Sequence, residues 1–309
     1  MAEGRVLQLL GPSTGGIRQV VAALTSELEG RGWDVVTAGP PGVLAGLVHQ
    51  DATLRDMRRL AKEVDVVHAH GLKVAWRAVG VHPLVTTVHN VVLTSNPVLR
   101  FLERRVPGDR LIATSSEVAA RFTGRPVTVI PPAAAPPRPT RTTSEVRAAY
   151  GIAPDERLLV TVARLHPQKD LPTLFEAVRR LDHTRLLVVG EGPDEARLRS
   201  LAPANVVFAG QRPNAADELA AADVVVISSM WESGPLVLFE ALQLERPVVS
   251  TAVGAAPDVL DEVVPVGDAD ALARAITRAC TTPRPRVARP YGPEAMTNAV
   301  EAVYRDIMQ

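Results

Sequence analysis

Two cations and two carboxylates at the ends of apolar runs are the side chains of this sequence best placed for chemistry. Arg164 and Lys169 follow the run Arg157–Val162, in Val162-Ala163-Arg164-Leu165-His166-Pro167-Gln168-Lys169-Asp170. Held at the carboxyl edge of a strand, such cations can neutralise a departing phosphate group without a metal. As an isolated pair they are equally well read as ion-paired surface residues. Glu232 and Glu240 stand with seven residues between them. Ser233-Gly234-Pro235 follows the first and opens a helical pattern from about Leu236 to Leu244. Proline suits the first helical position, because the amide it lacks has no partner there. The amides of Leu236 and Val237 then point out of the helix end, where the macrodipole favours an anion. Spacing alone also fits a capped helix with two solvated glutamates.

Weaker signals lie elsewhere. Gly11-Pro12-Ser13-Thr14-Gly15-Gly16-Ile17 joins the first apolar run to a helical pattern, and its glycines allow amides to approach a phosphate or sugar. It is not a Walker loop, and a plain tight turn reads the same way. His68, His70, His82 and His89 fall close together. The first two share one face of a strand and can in principle hold a metal, but no third ligand has a fitting spacing. His89 closes Leu84–Val88 at the strand's carboxyl end, where open α/β sheets place ligands. Val189-Gly190-Glu191-Gly192-Pro193-Asp194-Glu195 is half a dinucleotide fingerprint, with Glu195 where a third glycine belongs. Asp268-Ala269-Asp270 opens the helical pattern Ala271–Cys280 and reads as a cap rather than a metal motif.

Glu232, its spacing to Glu240, Pro247-Val248-Val249-Ser250 and Gly254-Ala255 together resemble the donor-site signature of the family-four retaining glycosyltransferases (glycosyl transferases group 1). That family has the GT-B fold: two doubly wound Rossmann-like domains facing a cleft, with a C-terminal helix crossing back to the first. The resemblance implies that Glu232 faces the donor sugar and Glu240 binds the nucleotide ribose. Arg164 and Lys169 match the family's cations for the donor pyrophosphate, and Gly234, Pro235, Leu236 and Val237 stand in its phosphate cradle. His89, in Val88-His89-Asn90, is similar to the histidine beside the donor sugar. Gly15 and Gly16 match a Gly-Gly pair near donor phosphate and acceptor, with Ser13 and Thr14 in the same loop. Glu191 falls in a turn near the nucleotide, and Gln211 and Arg212 border the base. Three positions depart from the family's wording: Ser233-Gly234-Pro235 for Gly-Phe-Gly, Asn90 for Asp and Asp170 for Gly.

Those residues need two scaffolds. The chain has 309 residues, enough for two cores. Apolar runs of the kind expected for parallel strands covered on both faces recur at Arg5–Leu10, Asp34–Ala38, Asp65–His70, Leu84–Val88, Arg110–Ala113 and Val127–Ile130. They resume at Arg157–Val162, Arg185–Val189, Val206–Ala209, Asp223–Ile227, Pro247–Ser250 and Asp261–Val266. Helical patterns such as Ile17–Glu29, Leu171–Arg180 and Asp194–Leu201 alternate with them. The proline-rich stretch 131–139 divides the chain into an acceptor-side domain, 1–135, and a nucleotide-sugar domain, 136–290. A second proline cluster, 283–290, precedes the helical pattern Pro293–Met308 within residues 291–309. It is read either as the crossover helix or as a helix on the second domain's own surface.

Formal net charge is zero, so nothing global argues for nucleic acid. A lone Cys280 suits a reducing cytoplasm. The start MAEGRVLQLL lacks the order of a signal peptide, and no apolar run is long enough to span a bilayer. Arg100, Arg104 and Arg105 in VLRFLERRV suit peripheral contact with an inner membrane face or an acidic acceptor, or simply a solvated face. The expectation is a metal-independent retaining glycosyltransferase of cell-envelope or glycoconjugate biosynthesis. It uses no cofactor beyond its nucleotide-diphosphate-sugar donor. Its acceptor is unidentified: lipid-linked, a saccharide or a small molecule. The alternatives are a catalytically silent nucleotide-sugar binder acting as an assembly partner, or a nucleotide-sugar epimerase.

Overall fold

A computed structural model describes residues 3–12, 15–40, 49–51, 54–281 and 292–309. Ser13, Thr14 and the proline cluster 283–290 lie outside the described residues. The chain divides into two compact units, residues 1–135 with 291–309, and residues 136–290.

The first unit begins β1 (Arg5–Leu10), α1 (Gly16–Gly30), β2 (Asp34–Gly39), β3 (His49–Asp51), α2 (Leu54–Leu60) and β4 (Val66–His70). It continues α3 (Leu72–Arg77), β5 (Leu84–Val88), α4 (Pro97–Arg104), β6 (Arg110–Ala113), α5 (Ser116–Ala119) and β7 (Val127–Val129). All seven strands are parallel, in the order β3-β2-β1-β4-β5-β6-β7. Every residue of β4 and β5 is buried, as sheets covered on both faces require. Polar residues on those strands therefore have to find partners inside. The polar strand β3, His49-Gln50-Asp51, pairs along β2 although no apolar run announces it.

The second unit runs α6 (Thr143–Ala149), β8 (Arg157–Val162), α7 (Leu171–Val178), β9 (Thr184–Val189), α8 (Glu195–Leu201), β10 (Val206–Gly210) and α9 (Ala216–Ala221). Then come β11 (Val224–Ile227), α10 (Leu236–Gln243), β12 (Val248–Ser250), α11 (Ala256–Val259) and α12 (Ala269–Thr281). Its five parallel strands are ordered β10-β9-β8-β11-β12. The expected strand Asp261–Val266 does not form; it contributes one bridge, Thr251 to Val264. Only Val264 in this segment is buried, and Pro265 has no amide to extend the ladder. Asp268 does cap α12, its carboxylate accepting from the Ala271 amide at 2.8 Å, while Asp270 pairs with Arg180.

The C-terminal helix, α13 (Pro293–Met308), belongs to the first unit and packs on α1. Glu301 fixes it there, accepting from Trp33 Nε1 at 2.8 Å and pairing with Arg31 at 2.7 Å. Arg110 holds Asp306 near its far end, and Tyr304 is wholly buried. The crossover is the arrangement formed.

Candidate functional site

In the second unit the strand order reverses between β8 and β11, the position where open sheets leave a crevice. Arg164 and Lys169 follow β8; Ser228 to Glu232 follow β11. The two loops are stitched together. Ser228 Oγ donates to the Lys169 carbonyl at 2.8 Å, Gln168 Nε2 to the Trp231 carbonyl at 2.7 Å, and the Met230 amide to the Gln168 carbonyl at 2.8 Å. The Lys169 ammonium donates to Glu232 Oε1, and Ser229 Oγ donates to the same oxygen at 2.7 Å. A depression lined by Thr161, Lys169, Ser229, Glu232 and Val237 results. Asp170 sits at φ 44°, ψ 47°, a left-handed conformation in which glycine costs least and Asp is among the better tolerated alternatives. The same backbone is therefore reached without the glycine.

Arg164 is exposed and has no ion pair or side-chain hydrogen bond among the described residues. Its backbone is held by the Gly190-Glu191-Gly192 turn: the amides of Ala163 and Leu165 donate to the carbonyls of Val189 and Glu191, each at 2.9 Å. Neither glycine has room for a side chain. A Cβ on Gly190 would lie 2.0 Å from the Ala163 oxygen, and one on Gly192 2.3 Å from the Leu165 oxygen. Glu191, at the tip of this turn, is exposed.

Pro235 is the N-cap of α10, with φ −67° and ψ 118°, rather than its first helical residue. That extended ψ places Pro235 outside the helix, which starts at the next residue. Leu236 and Val237 are then the first two helical residues, and among the described residues their amides have no partner; the Leu238 amide returns to the Pro235 carbonyl. An anion can occupy that end. Glu240, one turn along, is half-buried, and burial raises its carboxyl above the ordinary range. No described group bonds that carboxyl. Gly254, at φ 54°, closes against Ser233, whose carbonyl oxygen would be 2.9 Å from an added Cβ. Gln211 is exposed. The Arg212 guanidinium donates to Tyr150 Oη at 3.1 Å and lies 3.6 Å from Glu218, so it is drawn onto its own unit's surface network.

In the first unit Gly15 is the N-cap of α1 and Gly16 its first residue, with no side-chain cap at that end among the described residues. His89 is buried and reaches inward: its Nε2 lies 3.1 Å from His70 Nδ1. His70 Nε2 is 2.6 Å from Gln8 Oε1, and Gln8 Nε2 donates to Tyr304 Oη at 3.0 Å. Tyr304 Oη is 2.6 Å from His68 Nδ1, and His68 Nε2 is 2.7 Å from Thr87 Oγ1. These bonds take both nitrogens of His68 and of His70, so their spacing serves hydrogen bonding rather than a metal. Burial keeps all three rings neutral: the pKa of His68 falls to about 3, that of His89 to about 4, and that of His70 well below its ordinary value. Sequence reasoning missed Gln8, Thr87, Ser229 and Tyr304. A lone polar residue inside the apolar strand Arg5–Leu10 was the available signal for Gln8.

Residues 14–136 match the family described as Glycosyltransferase Family 4, and residues 156–282 match Glycosyl transferases group 1. The chain belongs to the group 1 glycosyltransferases. A Bacillus subtilis (strain 168) relative named for teichuronic acid biosynthesis, TuaC, is 30% identical over 252 residues, covering 74% of this chain and 64% of its own length. A D-inositol 3-phosphate glycosyltransferase of Actinosynnema mirum is 34% identical over 240 residues, covering 62% of this chain and 57% of its own. The chain thus spans less than two thirds of either relative. Among solved structures, a glycosyltransferase from Rickettsia africae superposes with a TM-score of 0.83 at 16% identity, over 99% of this chain and 98% of its own. Anabaena HepE, solved with UDP-glucose, gives 0.74 at 18% identity, over 99% and 96%. At such identities the likeness shows the fold alone, and that fold is GT-B.

Proposed function

We propose that this glycosyltransferase moves a sugar from a nucleotide-diphosphate-sugar to an acceptor hydroxyl with retention at the anomeric carbon, using side-chain cations in place of a metal and no cofactor. The acceptor oxygen bonds to the anomeric carbon on the face from which the diphosphate departs, and the departing phosphate oxygen takes the hydroxyl proton. Lys169, Arg164 and the amides of Leu236 and Val237 stabilise the charge that develops on the leaving group. Glu232 positions sugar hydroxyls, Glu240 the ribose, and His89 the donor sugar. Gly15 and Gly16 lie by the donor phosphate and acceptor, Glu191 by the nucleotide, and Gln211 and Arg212 by the base. The observation that carries this reading is the cation–carboxylate pair Lys169–Glu232 set beside the open end of α10, with an unpartnered carboxyl one turn along. No observation favours a silent binder.

A carboxylate that accepts from sugar hydroxyls loses about 1.5–3 kcal/mol of binding when its charge goes. Glu240→Gln should therefore raise the donor KM roughly tenfold to hundredfold with kcat little changed. A thermal-shift screen of uridine, guanosine, adenosine and thymidine diphosphates, and of their sugars, finds the nucleotide first, since a tight ligand raises apparent stability by mass action. A wild-type KM in the variant would remove Glu240 from the ribose.

The proposal extends to a cytoplasmic protein resting on an anionic inner membrane face, where a lipid-linked acceptor would be presented. Among the described residues no helix is long and apolar enough to cross a membrane. The support comes from α4, which is built inside out. Its Glu103 is 3% exposed and holds Arg121 and the Val92 amide, while Val98 and Phe101 are 62% and 57% exposed. Arg100, Arg104 and Arg105 flank them, also exposed. Apolar side chains among cations suit an anionic bilayer surface. Vesicles containing anionic lipid should pellet the protein, and Phe101→Glu should release at least half of it. Equal binding by neutral vesicles, or by the variant, would overturn this contact.

A further inference from the structure

The buried bonds of the first unit form one continuous chain, and its direction can be read. Gln8 presents its carbonyl oxygen to His70 and its amide nitrogen to Tyr304. A carbonyl only accepts, so His70 must carry its proton on Nε2. A neutral His70 then has a bare Nδ1, and the proton in the bond to His89 must come from His89 Nε2. On the other side Tyr304 Oη accepts from Gln8 and is free to donate to His68 Nδ1, whose Nε2–H goes to Thr87. Donation thus runs one way, from His89 through His70, Gln8, Tyr304 and His68 to Thr87. All three rings hold the same tautomer. Chains with one sense of donation reinforce each other, and burial removes competing water.

The residues come from β1, β4, the end of β5 and α13, so the chain ties the C-terminal helix to His89 although Tyr304 does not touch that ring. Thr87, His70 and Gln8 lie on one sheet face by register: Leu10 is opposite His70, and His70 opposite Thr87. The only nitrogen of His89 left uncommitted among the described residues is Nδ1.

We propose that Gln8, His70 and Tyr304 are positioning residues that hold His89 with its proton on Nε2, leaving Nδ1 to accept a hydrogen bond from a hydroxyl of the bound ligand. The hydroxyl rests on the glycosyl-transfer reading; the tautomer does not. The test is a long-range ¹H–¹⁵N spectrum of the imidazoles in the intact, uniformly labelled protein near neutral pH. His68, His70 and His89 should each show a protonated Nε2 and a bare Nδ1. A protonated Nδ1 on any of them would overturn the proposal with no variant needed. In Gln8→Leu and Tyr304→Phe, which keep the side-chain volume nearly constant, His89 should populate both tautomers. In the same variants kcat should fall roughly tenfold, the scale of one hydrogen bond, while affinity for the nucleoside diphosphate stays within about twofold. A single unchanged tautomer in both variants would also overturn it. If wild-type protein turns over no donor while the spectra behave as stated, the glycosyl-transfer reading fails and the positioning chain stands.

Discussion

Lys169→Ala is expected to lower turnover by about 10²–10³, the scale for losing one preorganised charge contact to a developing anion. Its effect should equal or exceed that of Arg164→Ala. Lys169 neutralises Glu232, so truncating it leaves that carboxylate, among the described residues, with only the Ser229 hydroxyl, beside the diphosphate of the proposed donor. Arg164 is exposed and pairs with no described side chain, so its loss removes a cation without freeing an anion. The double variant Lys169→Ala/Glu232→Gln separates the contributions. If repulsion from Glu232 is part of the defect, the double variant recovers some turnover; if only the lost cation matters, it does not. The measurement is release of nucleoside diphosphate in the presence of acceptor. Unaltered turnover in either single variant would remove that cation from the scheme.

Mild acid should unfold the first unit. Each of the three buried histidines has a folded pKa below the ordinary 6.5, to about 3 for His68 and about 4 for His89, chiefly through burial. The unfolded chain therefore binds protons that the folded unit refuses once the pH drops below about 6.5. Stability from these groups is complete above that pH and is lost as pH falls toward 4. With all three contributing, the loss approaches about 4 kcal/mol per pH unit, enough to exhaust the reserve of an ordinary domain. Among the described residues the other side chains bonded to these rings, Gln8, Thr87 and Tyr304, are neutral there, so no bonded carboxylate offsets the effect. Urea midpoints taken every half unit from pH 7 to 4.5 check it, with Trp33, packed on Tyr304, as the reporter. A midpoint that stays level between pH 6.5 and 5 would show that the rings protonate without cost.

The apolar runs at β1, β4 and β8, the glycines of Gly190-Glu191-Gly192 and the Glu232–Glu240 spacing were legible because they are local records. A strand buried on both faces needs apolar residues in sequence, and a backbone with no room for a Cβ needs glycine. The family resemblance rests on such records. The positions they leave silent are those whose role depends on a distant partner. Lys169 meets Glu232 across 63 residues, and Gln8 meets Tyr304 across 296. Nothing near Gln8 distinguishes a buried relay from a misplaced polar side chain.

By itself, then, the sequence determined two parallel α/β units, their loops at the strand ends and the residue types that can hold a diphosphate. Only the tertiary structure decided that Pro235 caps α10 instead of starting it, that Asp261–Val266 yields a single bridge, and that His68 and His70 serve hydrogen bonding. Local pattern reports how much of a segment is buried. Strand register and helix docking choose what each buried polar group meets, and those are properties of the whole folded unit.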